Sequence, residues 1–150
     1  MTTTTDRIEK RITLRATPAR VWRALADAQE FSAWFGMALS EGFAPGKTVN
    51  GTVRYQGKTL SFTLLIERME PERLLALRWH PFAVDPEVDY SSEPMTLVEF
   101  ALAASPEGTV LTVTESGFDQ IPLARRAKAF AMNDAGWAQQ VENIARHVHA

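Results

Sequence analysis

The chain has 150 residues, of which 45% are hydrophobic and 23% charged, so we expect one globular domain spanning residues 1–150. Its net charge of −2 offers no basic surface, which argues against nucleic acid or an anionic membrane as a partner. The absence of cysteine excludes disulfides, thiolate metal ligands and cysteine nucleophiles.

The first residues are polar. We expect residues 1–6 to form a flexible tail. Because "MTTTTDRIEK" lacks the apolar run of a secretion signal, we expect a cytoplasmic location. Alternating polarity from Arg7 to Arg15 then predicts a strand that buries Ile8, Ile12 and Leu14.

Two short helices follow the first strand. Thr17 is a favourable N-cap and Pro18 suits a first helical turn, so "TPARVWRALAD" predicts a helix with Trp22 in the core. The segment "AQEFSAWFG" predicts a second helix that ends at Gly36.

From Met37 to Phe118 the pattern changes to strands joined by short links. A hairpin is predicted around Gly57, and "SPEG" predicts another tight connection between the last two strands. The inward faces predicted for two middle strands consist of Leu60, Phe62, Leu64 and Ile66, and of Leu75, Leu77 and Trp79. Strands in series without intervening helices indicate an antiparallel meander.

The segment "PFAVDPEVDYSSEP", from Pro81 to Pro94, predicts an exposed acidic loop. Asp85, Glu87 and Asp89 alternate as calcium ligands do, but the glycine and the distant glutamate of an EF-hand loop are missing. A solvated loop is therefore the favoured interpretation.

Helical spacing runs from Ile121 to Ala150, straight through the turn-like letters "AMNDAGW". We predict one continuous helix in which Asp134 occupies a position of the apolar stripe and Asn133 faces water. Gly136 suggests close approach by another element, so that Gly136→Leu would be far more damaging than Gly136→Ala.

This order of elements predicts an α+β fold in which a curved antiparallel sheet of about six or seven strands wraps around the long C-terminal helix, leaving a hollow. The segments "TPARVWRALADAQEFSAWFG", "RLLALRW", "MTLVEFAL", "EGTVLTVTESGF" and "GW" occur in the order seen in the START-like (SRPBCC) superfamily. Within it the chain resembles the group similar to the C-terminal domain of the activator of Hsp90 ATPase. The resemblance implies a helix-grip fold with an internal cavity, and it specifies little chemistry.

Familiar catalytic motifs are absent from the sequence. There is no nucleophile elbow, phosphate loop, dinucleotide fingerprint or His-Glu-x-x-His. His80 is predicted to face outward, and His147 and His149 lie near the C-terminus, where fraying is expected. We therefore predict no catalytic residue, metal or cofactor.

The candidate site is the hollow under the long helix. Glu115 and Asp134 could both point into it, although a wet rim position for Glu115 and a local bond for Asp134 are the alternatives. Core packing is the alternative for each apolar residue. The predicted ligand-binding residues are Trp34, Phe35, Val53, Tyr55, Leu77, Trp79, Phe100, Val113, Glu115, Phe130, Asp134, Trp137 and Val141.

Three functions compete. The first is a binding protein for an apolar or amphipathic small molecule. The second, implied by the resemblance, is an interaction or stress-response module that engages an Hsp90-type chaperone. The third is an enzyme that uses a cavity carboxylate as acid or base. The oligomeric state is left open.

Overall fold

The computed structural model describes residues 7–85 and 87–149, so the expected flexible tail, residues 1–6, lies outside the described residues. The elements in chain order are β1 (Arg7–Leu14), α1 (Pro18–Ala26), α2 (Ala28–Phe35), β2 (Ala38–Leu39), β3 (Thr48–Tyr55), β4 (Lys58–Glu70), β5 (Leu74–Trp79), β6 (Thr96–Ser105), β7 (Gly108–Ser116), a 3-10 helix (Phe118–Gln120) and α3 (Leu123–His149).

The strands form one seven-stranded antiparallel sheet in the order β1-β7-β6-β5-β4-β3-β2. The predicted meander, the hairpin around Gly57 and the curved sheet with a long C-terminal helix are confirmed. A register shift between Ile66 and Arg68 interrupts the pairing of β4 with β5. Such bulges bend a strand and increase its twist, which helps the sheet curve around α3.

The two short helices begin and end at the residues expected. The Thr17 side chain accepts a hydrogen bond from the Arg20 amide at 3.2 Å, and Pro18 occupies the first turn of α1. Asp27 caps α2 by accepting from two amides, and Gly36 ends α2 with a φ of 88°. A left-handed conformation of this kind favours glycine at a helix C-terminus. Trp22 is half-buried against the core.

Helix α3 is continuous through "AMNDAGW", as predicted, and its 27 residues span about 40 Å at 1.5 Å per residue. No helix within residues 7–85 and 87–149 has the length and apolarity needed to cross a bilayer. The buried face of α3 comprises Ala129, Trp137, Val141, Ile144, Ala145 and Val148.

The C-terminal end of α3 makes contacts that oppose the fraying expected of its histidines. His147 Nε2 lies 2.9 Å from Glu30 Oε1, and His149 Nε2 accepts a hydrogen bond from the Arg15 amide at 2.9 Å. Burial acts to raise the pKa of Glu30, but hydrogen bonds from His147 and Arg20 outweigh it and leave that pKa below its ordinary value. These contacts anchor α3 to α2 and to the end of β1.

The surroundings of Gly136 differ from the close packing that the sequence predicted. A Cβ added there would meet no atom within 4 Å, so no other element approaches closely and the predicted packing is wrong. Gly51, in contrast, is crowded, since its Cβ would lie 2.5 Å from Phe62 Cζ and 2.7 Å from the Ala38 carbonyl oxygen. Open space therefore adjoins α3 at Gly136.

We expect Gly136→Ala to raise the free energy of unfolding by about 0.4–1 kcal/mol, because alanine restricts the unfolded chain and meets no obstacle in the helix. Gly51→Ala should lower it, since β3 cannot accept the methyl group without displacing Phe62 or Ala38. Urea denaturation of both variants measures the difference. A loss of stability in Gly136→Ala would contradict the open space seen beside α3.

Candidate functional site

Glu115 is a fully buried carboxylate, with none of its surface exposed, near the end of β7. Its Oε2 accepts hydrogen bonds from Trp79 Nε1 at 2.7 Å and from Thr96 Oγ1 at 2.5 Å. Its Oε1 accepts from Trp137 Nε1 at 2.8 Å, and Asn133 Nδ2 reaches Oε1 at 2.9 Å and Oε2 at 3.2 Å. An ionised carboxylate only accepts hydrogen bonds, and every partner here can donate one.

The sheet register and the helix repeat bring these donors together. Trp79 and Thr96 are direct cross-strand partners on β5 and β6, and Glu115 lies on the next strand, opposite Val98. Asn133 and Trp137 are four residues apart on α3, so they share one helix face. A carboxylate without such partners would be costly to bury, which makes this cluster a fixed joint between α3 and three strands.

Asp134 does not reach the hollow, and the prediction that it does is wrong. Its Oδ1 lies 3.0 Å from Lys10 Nζ on β1, and its side chain is 47% exposed. Asn133, predicted to face water, occupies the inward position. Both residues fit between Phe130 and Trp137, one at spacings of three and four and the other at four and three, so periodicity alone could not separate them.

Several predicted ligand-binding residues form the packed centre instead of a cavity wall. Trp137 packs on Phe100 at a ring-centroid distance of 5.7 Å, and Trp34 donates its indole N–H to the Ala24 carbonyl at 2.8 Å. Phe130 packs against Phe118 at 5.2 Å. The predicted residues that do not border the cavity described below are Trp34, Leu77, Phe100, Val113, Glu115, Phe130, Asp134, Trp137 and Val141.

The open space lies at one end of the sheet. A cavity of about 610 Å³, open to solvent on one side, is bordered by the β3–β4 hairpin, by the segment that follows β5, and by α3 where Gly136 lies. Phe35, Val53, Tyr55 and Trp79 are the predicted residues that border it. Residues that sequence reasoning did not assign to the site are Met37, Leu60, Ser61, Phe62, Thr63, His80, Phe82, Ala83, Val84, Val88, Asp89, Tyr90, Ser91, Met132, Asn133 and Gly136.

The segment between β5 and β6, described as residues 80–85 and 87–95, contributes a wall of this cavity and is not merely an exposed loop. Phe82 borders the cavity and packs edge-on against Tyr55, with ring centroids 6.2 Å apart. His80, predicted to face outward, borders the cavity, and its Nε2 lies 3.1 Å from the Glu93 carbonyl oxygen. The apolar run Phe82, Ala83 and Val84 was the available signal that part of this segment faces inward.

Arg125, on the first turn of α3, holds this segment in place. It donates to Glu93 Oε1 from Nε at 2.9 Å and from Nη2 at 2.6 Å, and from Nη1 to the carbonyl oxygens of Pro81 at 2.8 Å and Phe82 at 3.3 Å. Its guanidinium also lies 4.8 Å from the Tyr90 ring centroid. Such a planar, multidentate contact fixes the wall from the helix side.

The calcium-like spacing does not assemble a metal site. Within residues 7–85 and 87–149 no group of three or more His, Asp or Glu side chains could hold a metal ion. Asp85 accepts from the Glu87 amide at 3.0 Å and Asp89 from the Ser91 amide at 2.9 Å, which are local turn contacts. The hydrogen bonds from the Ser91 side chain and amide lower the pKa of the Asp89 carboxyl, so this cavity-rim group is ionised at neutral pH.

A curved antiparallel sheet around one long helix, with a cavity between them, defines a START-like helix-grip domain of the general ligand-binding class. Comparison with known families specifies this further. The chain belongs to the family described as "Activator of Hsp90 ATPase homolog 1-like protein", whose model matches residues 15–149. No match was found among curated proteins.

Solved structures share this fold. Protein MLL2253 from Mesorhizobium loti is 21% identical with a TM-score of 0.76, and the match covers 95% of this chain and 96% of that one. The Aha1 dimer from Colwellia psychrerythraea is 16% identical with a TM-score of 0.69, covering 95% of each chain. DynU16, from the dynemicin biosynthetic locus, is 25% identical with a TM-score of 0.74, over 97% of this chain and 48% of that one. The chain thus spans about half of DynU16.

Replacing Glu115 with alanine should lower the free energy of unfolding by about 3–5 kcal/mol, because the Trp79, Thr96 and Trp137 donors lose their shared acceptor. The matched control is Asp134→Ala, which removes a half-exposed ion pair with Lys10 and should cost less than about 1 kcal/mol. Chemical denaturation followed by tryptophan fluorescence compares them. Equal losses would contradict the structural role of the buried cluster.

Arg125→Gln should loosen the cavity wall while leaving the sheet intact. We expect faster hydrogen exchange at backbone amides within residues 81–93, measured by mass spectrometry. Arg126→Gln is the control, because Arg126 also donates to backbone carbonyls, those of Asp119 and Ile121, but does so at the 3-10 helix. If both variants left exchange in the 81–93 segment unchanged, Arg125 would not be its anchor.

Proposed function

We propose that the protein binds an apolar or amphipathic small molecule in the cavity beside Gly136. The supporting observation is the cavity itself, whose volume of about 610 Å³ falls within the range of about 300–1,000 Å³ typical of ligand pockets. Its lining is mainly aromatic and aliphatic, with a few polar groups. The centre of the sheet–helix interface is filled by side chains, so the space at this end is not a general looseness of the core.

The cavity walls are held in position by contacts outside the cavity. Glu115 fixes Trp79 and Asn133 on the floor, and Arg125 fixes the segment around Phe82. A preformed site binds a ligand without first having to order its own side chains, which favours affinity. Because these two anchors fix the walls, a preformed binding site explains the cavity better than a space created by a mobile loop does.

The carboxylates that sequence reasoning offered as an acid or base do not fit that role. Glu115 has no exposed surface and is surrounded by donors, while Asp134 pairs with Lys10 on another face of α3. A general acid or base must come within hydrogen-bond reach of its substrate. Binding is therefore the function that these contacts favour.

The family name favours a second candidate, engagement of an Hsp90-type chaperone. This candidate makes a different demand, because a protein partner would contact the outer surface and not the cavity. A pull-down with the cognate Hsp90, together with its ATPase rate, tests it. Filling the cavity would leave that result unchanged.

The binding proposal is tested by filling the cavity. We expect the neutral fluorescent probe N-phenyl-1-naphthylamine to bind and to raise the melting temperature of the wild-type protein. Gly136→Phe places a ring in the open space beside α3 and should weaken probe binding at least about tenfold, without lowering the melting temperature of the free protein.

The matched control for this experiment is Ala135→Phe. Ala135 is an exposed neighbour on α3 that does not border the cavity, so this variant should bind the probe as the wild type does. Undiminished binding by Gly136→Phe, or failure of the wild type to bind any compound of a lipophilic panel, would remove the proposal.

A further inference from the structure

Glu115 fixes the orientation of the Asn133 amide. Because a carboxylate can only accept, the amide must turn its NH₂ group toward Glu115, and its Nδ2 lies 2.9 Å from Oε1 and 3.2 Å from Oε2. The Asn133 Oδ1 accepts no hydrogen bond from residues 7–85 or 87–149, and Asn133 borders the cavity. With its NH₂ group turned to Glu115, the amide leaves Oδ1 as the acceptor that Asn133 can offer the cavity.

His80 also offers the cavity a hydrogen-bond acceptor, for a different reason. Its Nε2 lies 3.1 Å from the Glu93 carbonyl oxygen, and since a carbonyl only accepts, Nε2 must carry the proton. In the neutral ring this leaves Nδ1 as an acceptor beside the cavity. Two polar side chains that border the cavity, one on α3 and one after β5, are thus set as acceptors by their hydrogen-bond partners.

Among the aspartate, glutamate, lysine and arginine side chains that line the cavity within the described residues only Asp89 is found, and the Arg125 cation behind the wall is paired with Glu93. Asp89 lies at the rim and Glu115 lies directly behind the Asn133 and Trp79 side chains. No lysine or arginine is found among the described residues that line the cavity. The remaining polar groups are hydroxyls, such as those of Tyr55 and Ser61, which can donate or accept and do not favour either sign.

We propose that the cavity selects aromatic ligands that carry a hydrogen-bond donor, above all a protonated amine, and rejects carboxylates. This inference rests on the proposed binding function and names the ligand class for the same site. A donor would satisfy the acceptors of Asn133 and His80, while an ammonium group would also gain from the negative field and from the aromatic walls. A carboxylate would meet acceptors and like charge, and no lysine or arginine among the described lining residues could pair with it.

The test is a series of ligands that differ only in their polar group. We expect 2-naphthylmethylammonium to bind more tightly than 2-naphthalenemethanol, and the alcohol more tightly than 2-naphthoate, with at least about a tenfold difference in Kd between the first and the last. Displacement of N-phenyl-1-naphthylamine from the intact chain measures all three. The proposal is overturned if 2-naphthoate binds as tightly as the ammonium compound, even though binding itself would then stand.

Two variants and one control assign the preference to these residues. Asn133→Leu removes the acceptor while leaving three donors on Glu115, and it should reduce the preference for the ammonium compound several-fold. Glu115→Gln should do the same by removing the charge and releasing the amide. Glu107→Gln removes an equal charge from the exposed turn between β6 and β7 and should change nothing.

The outcomes separate the two proposals. If Glu115→Gln does not fold, Asn133→Leu decides alone, and an unchanged preference in that variant overturns the assignment of the acceptor. If neither the neutral probe nor any naphthalene compound binds the wild type, the binding function fails, and the selectivity falls with it. Equal binding of all three naphthalene compounds rejects the selectivity alone.

Discussion

The hydrogen bonds that converge on the buried Glu115 carboxylate hold this molecule together at the point where sheet and helix meet. Trp79, Thr96, Asn133 and Trp137 all donate to it, and they come from β5, β6 and α3. Burying a charge is unfavourable unless it is fully satisfied, so these four side chains must keep their places whenever the chain is folded. A purely apolar contact would allow α3 to slide or rotate on the sheet. The hydrogen bonds to Glu115 prevent this because they are directional.

The same cluster determines where the cavity can be. Because Trp137 is fixed over Phe100, the middle of the interface is filled, and the open space is displaced toward the β3–β4 hairpin. Arg125 completes the enclosure by joining the first turn of α3 to Glu93 and to two backbone carbonyls. The site is therefore built between two polar anchors, one buried under the helix and the other at its N-terminal end.

The general architecture was readable from the sequence because each element carries its own local signal. Thr17 and Gly36 mark helix boundaries through backbone chemistry, and period-two or helical spacing of apolar residues identifies strands and α3. The sequence predicted the residues of the candidate site less accurately than it predicted the fold. Phe35, Val53, Tyr55 and Trp79 border the cavity, and their role in ligand binding stays a prediction. Asp134 was exchanged with Asn133, since a helix stripe leaves a one-residue ambiguity between spacings of three and four. The 80–95 segment was read as solvated because its acidic residues obscured the apolar ones between them.

What the sequence by itself determined is the order of the elements, their boundaries and the membership of a helix-grip fold, since these depend on local propensity and on which face of each element is apolar. Only the tertiary structure decided which of the inward residues pack against each other and which border empty space. That distinction depends on the volumes of side chains brought together from distant parts of the chain. Gly136 shows the reason: the cost of a glycine inside a helix suggested a close contact, whereas the space beside it is set by the hairpin and by the segment that Arg125 holds.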